Sequence, residues 1–159
     1  MRFIRKSSKK AGMSPGTLVH VGEKRAETVR ITLMDYDSAH LTEREVSAIE
    51  EAVPLKDQPA VTWINVDGIH DMKLMENIGT RFGIHPLTLE DIVNTGQRPK
   101  LEDFEEYLYI VFKMLAYELE SETIRSEQIS LVVGSRFVFS FQETAGDVFD
   151  PIRERLRKG

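Results

Sequence analysis

Apolar and polar residues alternate along some short stretches of this chain and recur at helical spacing along others. Val29, Ile31 and Leu33 fall on one side of an alternating segment, which predicts a strand over Thr28–Tyr36. Thr17–Val21 is a shorter candidate strand. Thr42 and Glu45 have capping-box spacing, and Leu41 and Val46 occupy the two positions of a hydrophobic staple. Val46, Ile49 and Val53 then recur at i, i+3 and i+7, which predicts a helix closed by Pro54. Ala60–Val66 (AVTWINV) reads as a strand, and Asp67-Gly68 turns the chain out of it. Asp71 caps a helix carrying Leu74, Met75, Ile78 and Phe82, and Gly83 stops it. Pro86 opens a further helix to about Asn94.

Tyr107–Tyr117 is apolar on both faces, as a central strand would be. Ile129, Leu131 and Val133 alternate, Gly134-Ser135 fits a two-residue type II′ turn, and Phe137, Phe139 and Phe141 return along the next strand. These three strands predict an antiparallel meander. A last helix starts near Asp150-Pro151, or one turn earlier at Asp147, with Val148, Phe149, Ile152 and Leu156 on one side. The expected fold is α/β: a mixed central sheet with helices packed on both faces, an α/β/α sandwich. Residues 1–16 read as a disordered basic tail, 17–146 as the α/β domain, and 147–159 as the start of a helix cut short.

Composition narrows the function. The length of 159 residues suits one domain, and 41% hydrophobic residues suffice for an ordinary core. The absence of cysteine excludes disulfides, zinc–thiolate sites and thiol chemistry. A net charge of -5 argues against nucleic acid as a partner, although basic residues crowd both ends. No apolar core of a secretory signal follows the basic N-terminus. The most apolar run, Tyr107–Tyr117, is broken by Lys113 and is shorter than the roughly 20 residues of a membrane span.

Three groups of residues bear chemistry. Asp67, His70 and Asp71 could ligate a metal or act as acid and base in a metal-dependent hydrolase; a turn followed by a helix cap is the simpler reading. Glu102, Asp103, Glu105 and Glu106 read as a solvated loop leading into the apolar strand. Glu90 and Asp91 lie on the helix after Pro86. There, Leu89, Ile92 and Val93 form the inner face, and Leu87, Glu90, Asp91 and Asn94 form an outward stripe. Hard oxygen ligands of this kind suit magnesium or calcium. Adjacent helical residues diverge by about 100°, so the pair would serve neighbouring ions, or one ion shared with another chain. An ordinary charged face remains the competing reading. No phosphate-binding loop, dinucleotide fingerprint or nucleophile elbow supports an enzyme.

Longer motifs add a resemblance. Trp63–His70 (WINVDGIH), Gly83–Lys100 (GIHPLTLEDIVNTGQRPK), Tyr107–Tyr117 (YLYIVFKMLAY), Ser126–Val133 (SEQISLVV) and Gly146–Arg157 (GDVFDPIRERLR) resemble the N-terminal domain of CorA-type magnesium transporters. The resemblance covers the chain from about Pro15 onward. It implies a cytoplasmic regulatory domain at the inner face of the cell membrane, in a protein that is pentameric when whole. A long stalk helix and two membrane helices would lie beyond residue 159, so this chain alone would not transport and would be monomeric. It implies that Mg2+, with Co2+, Ni2+ or Ca2+ as substitutes, binds between subunits and favours closure. The Glu-Asp pair of the family's sensing site matches Glu90 and Asp91. A zinc-transporting branch of the same superfamily is the alternative.

Overall fold

The computed structural model describes residues 12–21 and 26–159. Seven strands form one sheet: β1 (Arg30–Tyr36), β2 (Leu41–Val46), β3 (Val61–Asp67), β4 (Lys100–Asp103), β5 (Tyr107–Glu118), β6 (Thr123–Gly134) and β7 (Phe137–Gln142). The order across the sheet is β2-β1-β3-β7-β6-β5-β4. The β3–β7 pairing is parallel and every other pairing is antiparallel, so the sheet is mixed. The predicted β5-β6-β7 meander is present. Two short 3-10 helices, Ile49–Glu51 and Val53–Asp57, precede β3. The α-helices are α1 (Met72–Phe82), α2 (Pro86–Val93) and α3 (Asp150–Lys158).

Strand alternation separates two faces. Ile31, Leu33, Ile64, Val66, Tyr109, Val111, Val132, Phe139 and Phe141 point one way and meet Met75, Ile78, Phe82, Leu89 and Ile92 of α1 and α2. Trp63, Asn65 and Asp67 point the other way, towards α3. Phe149, just before α3, meets Trp63 edge-on at 5.8 Å, and Arg153 of α3 lies 4.8 Å from the Trp63 ring centroid. Helices therefore lie on both faces, as the expected sandwich requires.

Local cap chemistry defines α1. Asp71 accepts a hydrogen bond from the Leu74 amide at 3.1 Å, and Gly83 closes the helix at φ 68°, where a Cβ would be strained. At α2, Pro86 stands at the first turn, and the ring of His85 supplies the cap by accepting from the Leu87 amide.

Five expectations change. The helix predicted from Thr42 to Val53 is strand β2 followed by the two 3-10 turns. Pairing with β1 satisfies the backbone groups of residues 41–46 that face it and sends Val46 into the core, which a capping box alone cannot match. The predicted strand Thr17–Val21 reduces to one parallel bridge between Val21 and Asn94. Glu102 and Asp103, read as loop, lie in the edge strand β4. Tyr107–Tyr117 is second from the edge, and its outer half exposes Leu115 and Tyr117. Finally, Val133 pairs with Val138, so the hairpin turn is Ser135-Arg136. Gly134 ends β6 without the positive φ of a type II′ turn. The basic tail falls outside the described residues up to Ala11; Ser14–Thr17 forms a turn, with the Thr17 amide donating to the Ser14 carbonyl.

Candidate metal centre

Helix α2 crosses the sheet with Thr88, Leu89, Ile92 and Val93 buried. Its start is fastened by Tyr107, whose hydroxyl accepts from the His85 amide and shares a hydrogen bond with Thr88 Oγ1, both at 3.0 Å. Its end is fastened by the buried Gln128 of β6. Gln128 Nε2 donates to the Asp91 carbonyl, and its Oε1 accepts from the Gln97 amide and from Lys113 Nζ. These anchors leave Leu87 exposed and Glu90, Asp91 and Asn94 half-buried along one stripe, as the helical spacing predicts.

The two carboxylates have separate partners. Glu90 Oε2 accepts from the Gly16 amide at 2.8 Å, which ties α2 to the N-terminal turn. Asp91 Oδ1 accepts from Gln97 Nε2 at 2.8 Å, and Oδ2 pairs with Lys100 Nζ at 2.5 Å. Lys100 also reaches Glu102 Oε1 at 2.9 Å and lies 5.2 Å from the centroid of the Tyr109 ring. Burial alone would lower the Lys100 pKa; hydrogen bonds to Asp91 and Glu102 more than offset it and hold the amine above its usual range. An ion reaching Asp91 must therefore compete with a resident ammonium. Among the described residues, no three acidic or histidine side chains converge on a point where one ion could be held.

The other two groups dissolve. Asp67 is buried against Asn65 and Gln142, whereas Asp71 is exposed and caps α1, and His70 lies between them without joining either. The convergence a hydrolase would need is lacking. Glu102 belongs to β4 beside Lys100, and Asp103 Oδ1 accepts from the Glu105 amide in the turn where Glu105 has φ 64°. Sequence reasoning missed Lys100, Gln97 and Gln128. The signal was there: Gln128 and Ser130 interrupt the apolar alternation of β6 on its covered face, which marks a buried polar network.

Comparison with known proteins supports a common origin. Residues 59–159 match the family described as "CorA-like Mg2+ transporter protein". The chain is 46% identical over 150 residues to the cobalt/magnesium transport protein CorA of Thermotoga maritima, covering 94% of this chain and 42% of that protein. It thus spans less than half of that relative. Among solved structures, full-length CmaX superposes with a TM-score of 0.65 at 18% identity, over 87% of this chain and 41% of the other. The ZntB cytoplasmic domain from Vibrio parahaemolyticus gives 0.59 at 13% identity, over 81% and 50%. At such identities these two establish the shared fold and nothing about the ion. The sequence match over most of the domain, on the fold those structures share, places this chain in the CorA-like magnesium transporter family.

Proposed function

We propose that this chain is the cytoplasmic regulatory part of a CorA-type magnesium transporter, with Glu90 and Asp91 as one side of a divalent-cation site completed by a neighbouring subunit. The observation that carries this reading is the placement of the pair. Two adjacent carboxylates stand half-buried on the outer stripe of α2, and each is held by a different neighbour. Such a pair offers hard oxygen ligands but too few for magnesium, which leaves further ligands to a facing surface and to solvent. The name of the Thermotoga relative, a cobalt/magnesium transport protein, agrees with that donor chemistry. No helix among the described residues is long and apolar enough to cross a membrane, so conduction in this reading belongs to other parts of the full-length protein.

The regulatory logic is linkage. An ion shared by carboxylates of two subunits removes their repulsion and stabilises the arrangement that brings them together; loss of the ion favours the other arrangement. Lys100 sets a threshold, because it already balances Asp91 when no ion is bound. In the full-length transporter, Asp91→Lys replaces an ion ligand by a cation. Current recorded while cytoplasmic magnesium is raised should then lose most of its magnesium-dependent decline. Unchanged decline, together with unchanged protection from protease by magnesium, would sink the reading and leave α2 as a protein-binding face without ion chemistry.

A further inference from the structure

The sheet face opposite α1 and α2 bears a polar cavity of about 240 Å³ beneath the loop that leads into α3. Asn65, Asp67, Gln142, Asp147 and Arg153 are among its lining residues. A chain of buried hydrogen bonds leads to Asp67. Trp63 Nε1 donates to Ser140 Oγ at 2.8 Å, and Ser140 Oγ donates to Asn65 Oδ1 at 2.6 Å. Asn65 Nδ2 in turn donates to Asp67 Oδ1 at 2.9 Å, and Gln142 Nε2 donates to the same oxygen.

Most charges around the cavity are matched. Arg153 pairs with Asp147 at 2.5 Å and with Asp150 at 3.0 Å, and Arg157 pairs with Glu43 at 2.8 Å. Arg30, which faces Asp67 in the β1–β3 register, turns its guanidinium to Glu45 at 2.8 Å. Asp67 is the exception. It is 5% exposed and has no cationic partner among the described residues. Gln142 is 1% exposed, and with its amide nitrogen committed to Asp67 its Oε1 is buried without a hydrogen-bond partner. Turning the amide over would set its oxygen against the carboxylate. Two residues that line the same cavity thus carry one uncompensated negative charge and one unpaired carbonyl oxygen. Buried groups of this kind are costly unless paired. A neutral donor would satisfy Gln142 but leave the charge of Asp67; a cation satisfies both.

We propose that this cavity binds a small hard cation through the Asp67 carboxylate and Gln142 Oε1. Oxygen-only donors select magnesium, calcium or an alkali ion over softer metals. An ion there ties together the ends of β3 and β7, where Asp67 and Gln142 are register partners. The proposal is independent of Glu90 and Asp91, which belong to the opposite face. The test is thermal unfolding of the 159-residue chain after chelation, titrated with MgCl2, CaCl2, NaCl or KCl at constant ionic strength. At least one cation should raise Tm saturably, by about 3 °C. The rise should persist in Glu90→Gln/Asp91→Asn and vanish in Asp67→Asn and in Gln142→Leu. Gln142→Leu keeps the charge of Asp67 and carries the test should Asp67→Asn not fold. No rise with any of the four salts overturns the proposal. So does a rise that survives Gln142→Leu, or one that disappears only in the Glu90/Asp91 variant.

Discussion

Asp91 uses both carboxylate oxygens inside its own subunit, and Lys100 is the group that decides whether it is available to anything else. The Lys100 side chain is about three-quarters buried, with its ammonium between Asp91, Glu102 and the Tyr109 ring. Lys100→Met should lower stability by about 1 kcal/mol, since the lost pair is only partly exposed and Gln97 still bonds Asp91. The sign of the pH dependence follows from the raised Lys100 pKa. The pair's contribution is fully present below the ordinary lysine pKa and disappears as pH rises through the folded value. Urea midpoints of wild type and Lys100→Met should therefore converge only as pH rises beyond the ordinary lysine range. At this scale the sequence was legible in part. Helical spacing put Glu90 and Asp91 on the outer stripe, because three apolar neighbours dictate which side turns inward. It could not pair Asp91 with Lys100, which stands beyond the loop that follows α2, at the start of β4.

At the scale of elements, Gly134 shows how tightly the β6–β7 hairpin is closed. A Cβ there would come within 2.5 Å of the Phe137 ring, which also meets Phe82 of α1 edge-on at 5.3 Å. Gly134→Ala should push that ring off α1 and destabilise the domain by about 1–2 kcal/mol. Equilibrium unfolding of the single and double variants with Phe137→Ala checks this: in the Phe137→Ala background the alanine should cost much less. The hairpin also shows why turn residues mislead by one position. Gly-Ser fits a turn by composition, but register is set by which side chains must enter the core, and Phe137, Phe139 and Phe141 place the turn at Ser135-Arg136. The same competition decided β2. Its charged residues suit an exposed edge strand, where they also discourage pairing with other chains.

Over the whole molecule, α3 is held by few contacts on a face otherwise covered lightly. Phe149 touches Trp63 and Phe112, Arg153 stacks on Trp63, and Arg157 reaches across to Glu43 of the edge strand β2. The hydrogen bond from Arg157 is the main cause that holds the Glu43 carboxyl below its usual range. A depressed carboxylate contributes stability above its ordinary pKa and loses it as pH falls through the folded value. Protection factors of the amides of residues 150–158 should accordingly fall in acid, below the ordinary glutamate range, while those in β3 and β7 stay high. In Glu43→Gln the lowered protection should already be present at neutral pH. If α3 exchanges equally slowly in both proteins at neutral pH, the Arg157–Glu43 contact does not hold the helix.

What the sequence determined by itself was local or periodic. The capped helix α1, the proline-led α2, the strands β1, β3, β5, β6 and β7 and the exposed stripe of α2 all follow from caps, turn residues and apolar spacing acting within a few residues. Tertiary structure alone decided the rest. It made Leu41–Val46 a strand by pairing it with β1, and it put β5 beside an edge strand that the loop-like charges of residues 100–103 conceal. It also brought Lys100 to Asp91, and Gln142 to Asp67. The physical reason is common to these cases. A backbone group or a charge left unsatisfied by its neighbours in sequence takes its partner from whichever segment the packed sheet places beside it.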